Sequence, residues 1–180
     1  MQNFIFGSLL TWVSPILFTI VISIITGIIS SSFLSTALVL LANLTVTYGL
    51  YVMYTFWKSY YQTPLKKQET AIQLLLAASA ASLLVSAMSL FPALNYFGLG
   101  ANVCSLIIFV LTYIAYAYIA QDVNEENLLN VWKIVGILEL ISFVGSYISF
   151  LSYLVLVLDI IQLLFIIKFV VDLNKILENK

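Results

Sequence analysis

From Val131 to Val171 the chain runs for about 40 residues with only four charged side chains, Lys133, Glu139, Asp159 and Lys168. One straight helix of that length would measure about 60 Å, twice the ~30 Å hydrocarbon thickness of a bilayer. The simplest solution is two membrane-spanning helices joined by a tight turn near Gly145 to Ser152. A single long tilted helix is the alternative, because neither proline nor charge marks that turn.

The rest of the chain repeats the pattern. A spanning helix needs roughly 20 mostly apolar residues. Phe4–Ile29 is the first such run, broken by Ser30, Ser31 and Ser32, and Phe33–Trp57 is the second, stopped by Lys58. A polar segment, Lys58–Thr70, carries Pro64, Lys66, Lys67 and Glu69. Ala71–Leu90 is the third run, ended by Pro92 and the stretch Asn95–Gly100, and Ala101–Ala120 is the fourth. The acidic connector Gln121–Asn130 follows, where Asp122 or Asn124 is placed to cap the next helix. Glu125 and Glu126 would then fall in its first turn, where the helix dipole favours negative charge. These runs predict an all-α, polytopic transmembrane bundle forming one integral membrane domain. Its six spans lie in three hairpins, about residues 4–57, 71–120 and 131–171, with a tail at 172–180; five spans is the alternative.

Composition supports the membrane and removes several functions. Hydrophobic residues make up 63% of the chain and charged residues 8%, where a soluble domain carries about a quarter charged. The seven basic residues are all lysines, against eight acids, so no basic field exists for nucleic acid. With no histidine and the single Cys104, the usual ligand sets for zinc, copper or haem cannot be assembled, and no cofactor is expected. There is no glycine-rich phosphate loop, no arginine clamp and no histidine-based nucleophile pair. The chain reads as a non-enzyme.

Charge also orients the model. With six spans, every lysine falls on or near one side, together with both termini; the opposite side carries no charge. The positive-inside rule then places both termini in the cytoplasm, with Lys58, Lys66 and Lys67 deciding the orientation. Tyr51, Tyr54, Trp57, Tyr60 and Tyr61, with Tyr113, Tyr116, Tyr118 and Trp132, read as an aromatic belt at that interface. No basic region precedes the first apolar run, so a cleavable signal is not expected. Helix contacts are expected along small-residue stripes: Thr19, Ser23 and Gly27; Ala78, Ser82 and Ser86; Ser142 and Ser146 beside Gly145 and Ser149. Pro15 is placed to kink the first helix, and Lys133 and Lys168 to snorkel to the interface.

Glu139 and Asp159 break the charge-free interior. Centred on Ser149, the last turn would put both at equal depth in antiparallel helices, near the bilayer midplane. Asn43 falls near mid-depth in the second run, and Gln162 sits one turn from Asp159 on the same helix face. A central acid costs roughly 2.5–3.5 kcal/mol on insertion scales, so it faces a partner or a cavity. Glu139, Asp159, Asn43 and Gln162 are therefore a candidate proton or cation site, or else inter-helix polar glue.

Two functions follow. The nearly loopless, sparsely polar chain favours a non-catalytic integral subunit or scaffold, packing with other membrane subunits or with copies of itself. The alternative is a small proton- or cation-linked transporter or channel using Glu139 and Asp159. The segment Ile119–Asn130, behind a Pro- and Gly-bearing hairpin, resembles uncharacterised small multi-pass membrane proteins of archaea over about a third of the chain, from Leu76 onward. That resemblance implies a prokaryotic plasma membrane and transfers no function or site residue.

Overall fold

The computed structural model describes residues 2–15, 17–18, 21, 32–89, 98–123, 125–145 and 152–179. Among them the chain is wholly helical apart from short connections, with no strand. The helices are α1 (Gln2–Ser8), α2 (Ser32–Tyr60), α3 (Lys66–Ser89), α4 (Gly98–Val123), α5 (Glu126–Gly145) and α6 (Ser152–Glu178). Among the described residues, four segments are long and apolar enough to cross a membrane: Thr36–Tyr60, Lys66–Met88, Cys104–Val123 and Glu126–Gly145. The long apolar run is thus divided between α5 and α6.

Several boundaries move relative to the sequence reading. Helix α2 passes Lys58 and ends at Tyr60. Helix α3 starts at Lys66, five residues before the apolar run, because the Leu65 amide donates to Gln68 Oε1 at 2.8 Å. That is one half of a capping box, satisfying an amide the helix itself leaves free. Gly98–Gly100, read as loop, opens α4, and Gln121–Val123, read as connector, closes it. Asp122 therefore does not cap α5; it accepts hydrogen bonds from Tyr61 Oη at 3.0 Å and Gln68 Nε2 at 2.7 Å. The Tyr61 hydroxyl is pushed above its ordinary range by burial first, and then by the adjacent Asp122 carboxylate. Asn124, Ser30, Ser31 and the stripe Thr19, Ser23 and Gly27 lie outside the described residues, as do Ser146 and Ser149.

Helix α1 continues into a π-helical turn, Leu9–Val13, in which the Ser14 amide bonds Leu9 O. Pro15 explains the widening. It has no amide to offer Thr11, and its ring would crowd that carbonyl in a regular helix.

Each helix packs on its sequence neighbours, and α6 returns to α1, closing a ring. The contacts fix which ends meet. Phe4 packs edge-on against Trp57, Tyr61 and Gln68 meet Asp122, and Trp132 lies on Phe169. The start of α1, the end of α2, the start of α3, the end of α4, the start of α5 and the last turns of α6 thus share one end of the bundle. The rings expected in an interfacial belt divide: Tyr51 is half exposed, but Trp57, Tyr116 and Trp132 are buried and form the core of this end. Trp132 donates to Tyr113 O at 2.9 Å and stacks on the Tyr113 ring, so it is anchored inward.

Small residues set the closest approaches. Ala78, Ser82 and Ser86 are buried along α3, and Ser82 and Thr47 hydroxyls meet at 2.9 Å. Of the four apolar segments, that of α3 has the largest buried share. On α2, a Cβ at Gly49 would lie 2.6 Å from Thr11 Oγ1 and 2.9 Å from the Thr11 amide nitrogen. Alanine is the better helix former by about 1 kcal/mol, so an unpacked site would gain from Gly49→Ala. Here backbone stands in the way, and the substitution is expected to lower stability by about 1–3 kcal/mol. Thermal unfolding in mild detergent reads the sign directly. Outward faces are apolar, as Leu84 at 66% and Val144 at 60% exposure illustrate. Such faces match lipid and would be a large uncovered patch in water.

Candidate functional site

One face of each of four helices converges on a cavity of about 400 Å³. Helix α5 supplies Glu139, Ser142 and Phe143; α6 supplies Val155, Asp159, Gln162, Leu163 and Ile166. Helix α4 supplies Ser105, Ile108, Phe109 and Thr112, and the first helix supplies Thr11, Trp12 and Pro15 around its π-helical turn. The spacings of three, four and seven residues are those of single helix faces, so regular helices suffice to aim these groups together. Val46 of α2 completes the wall.

Gln162 Nε2 donates to Glu139 Oε2 at 2.8 Å, tying α6 to α5. Asp159, one turn away, lines the same cavity and has no hydrogen-bond partner among the described residues. Glu139 thus pairs directly with Gln162, three residues beyond its expected equal-depth neighbour Asp159. Thr11 Oγ1 donates to Gly7 O and Thr112 Oγ1 to Ile108 O, at 2.8 and 2.7 Å. Their protons spent on their own helices, these hydroxyls have only lone pairs left for the cavity. Ser142 is 6% exposed, and its Oγ has no hydrogen-bond partner among the described residues. Among the described residues, no lysine lines the cavity. Its ionisable groups are two acids and its free polar atoms are largely acceptors, so its electrostatics select positive charge.

Asn43 does not belong to this constellation. It is half-buried on the face of α2 that meets α3, where its main-chain oxygen accepts from Thr47 Oγ1 at 2.9 Å and Ser82 Oγ at 3.5 Å. Depth alone suggested it; the rotation of α2 about its axis turns it away. Thr11, Trp12, Phe109 and Thr112 were missed by sequence reasoning. Their one legible signal was a threonine four residues before the proline of the first apolar run, the arrangement that frees a carbonyl and widens the helix.

Among the described residues, no three His, Cys, Asp or Glu side chains gather as a metal site. Cys104 is a half-buried free thiol. In comparisons with protein-family models, curated proteins and solved structures, the chain matches none.

Proposed function

We propose that this chain is a multi-pass plasma-membrane protein of six spans in three hairpins that moves protons or small cations through the cavity holding Glu139 and Asp159. Its termini and the Lys58–Thr70 and Gln121–Asn130 connections face the cytoplasm. The common end occupied by Phe4, Trp57, Asp122, Trp132 and Phe169 supports that sidedness, since the lysine-bearing segments flank it.

The observation that carries the function is the convergence of Glu139, Gln162 and Asp159 on one acceptor-lined cavity. A scaffold subunit needs packed apolar faces, and two amides would tie α5 to α6 as Glu139 and Gln162 do without an acid costing roughly 2.5–3.5 kcal/mol at the midplane. Two ionised carboxylates lining one cavity repel each other, so acids placed in this way favour holding a proton or a cation between them. The protein performs no covalent chemistry in this reading; it offers a site that cations enter from one side and leave to the other. The test is reconstitution of the purified protein alone into liposomes enclosing a pH- or sodium-sensitive dye. An imposed gradient is expected to drive dye response above that of protein-free vesicles. No response to H⁺, Na⁺ or K⁺ gradients overturns the proposal.

A further inference from the structure

The cavity that holds the two acids is walled mainly by rings and aliphatic chains, and that combination bears on which cation it takes. A bare metal ion wants a shell of oxygens, six to eight for calcium, at close and nearly uniform distances. Here the oxygens of Glu139, Ser142, Asp159, Gln162, Thr11 and Thr112 come from four helices around a space of about 400 Å³, far larger than any bare ion. Trp12, Phe109 and Phe143 form much of the remaining wall. Trp12 is held in place by edge-to-face contacts with Phe109 at 6.4 Å and with Trp132 at 5.9 Å, so its ring is a fixed surface. A hydrated alkali ion has nothing to gain from such walls, and a neutral apolar solute would leave both carboxyls unsolvated.

We infer that the cavity is a binding site for an organic ammonium ion, an inference that rests on the cation-handling reading of the same cavity. The ammonium charge would lie between Glu139 and Asp159, and its alkyl groups against Trp12 and Phe109. An aromatic face attracts a cation through its quadrupole, more strongly where water is excluded. The Ser142 hydroxyl, buried in the cavity wall and without a partner among the described residues, points independently to a polar ligand group: a polar group in this position is normally satisfied. Ligand polar groups such as an N–H or a hydroxyl would satisfy it.

The test compares choline with 3,3-dimethylbutan-1-ol, its uncharged isostere, by calorimetric titration of the intact protein in mild detergent. Choline is expected to bind saturably and at least about tenfold more tightly than the isostere. Glu139→Gln and Asp159→Asn are each expected to weaken choline by about tenfold or more. Trp12→Leu should weaken it about threefold or more, whereas Trp12→Phe, which keeps an aromatic face, should stay within about twofold. The wild-type comparison needs no variant, so misfolding cannot decide it. Equal binding of the two probes, or binding of neither, overturns the inference. If choline fails while protons or sodium cross the liposomes in a Glu139-dependent manner, the ammonium site falls and the carrier reading stands. If choline binds but no H⁺, Na⁺ or K⁺ gradient is dissipated, the site stands and the carrier reading falls.

Discussion

Glu139→Gln is expected to reduce cation or proton flux in liposomes to the protein-free level while raising, or leaving unchanged, the temperature at which the protein unfolds in detergent. The two halves of that expectation come from the same geometry. Glutamine keeps the length and shape of the side chain, and its carbonyl oxygen can still accept from Gln162 Nε2, so the link between α5 and α6 survives. It cannot ionise, so neither a proton nor a cation finds its counter-charge. Removing an acid from the bundle interior also relieves an insertion cost of roughly 2.5–3.5 kcal/mol. Asp159→Asn should behave in the same way, without a described hydrogen bond to lose. A structural role predicts the reverse pattern: loss of stability, and no specific loss of flux. Gain of stability with loss of activity is the signature of a site kept at the expense of the fold. If both variants unfold earlier than wild type and flux scales with the folded fraction, the acids are inter-helix glue.

Sequence reasoning reached the membrane character of the chain because hydrophobicity over twenty residues needs no knowledge of tertiary contacts. It placed helix ends poorly for a definite reason. Lys66–Thr70 and Gln121–Val123 are polar segments that extend helices beyond their apolar runs, and only local bonds such as Leu65 to Gln68 reveal the continuation. It also read depth along a helix better than rotation about it. Glu139 and Asp159 could be matched by distance from a turn and Gln162 placed one turn from Asp159, and all three line one cavity. Asn43 shared their depth and yet faces α3, since a bundle's azimuths depend on packing that residue spacing alone does not encode. The aromatic residues show the same ambiguity. Tyrosine and tryptophan near a helix end fit a headgroup belt or a bundle core equally well, and the choice for Trp57 and Trp132 was made by neighbours on other helices.

Trp132→Ala should cause the largest loss of stability of any single substitution proposed for this chain, about 3 kcal/mol, measured as a fall in the unfolding temperature or in resistance to denaturing detergent. Trp132 is 1% exposed and touches rings from three other helices: Trp12 at 5.9 Å, Tyr116 at 5.5 Å and Phe169 at 4.4 Å between centroids. It also stacks on Tyr113 at 5.7 Å, and its indole N–H satisfies the Tyr113 carbonyl. Truncation removes all of these at once. Burial of a ring from lipid gains less than burial from water, which places the loss at the lower end of the 3–5 kcal/mol seen for large-to-alanine changes in cores. What remains is dispersion, forfeited wherever a void replaces a packed ring. Trp132→Phe separates the two contributions: it keeps most of the ring contacts and loses the hydrogen bond, for about 1 kcal/mol. The same truncation should reach the cavity, because Trp12 forms part of its wall and leans on Trp132. Choline affinity should therefore fall in Trp132→Ala even though residue 132 does not line the site, and recover in Trp132→Phe. A fall of less than about 1 kcal/mol in Trp132→Ala would mean that the bundle closes over the void, and that the aromatic cluster fills this end without holding it together.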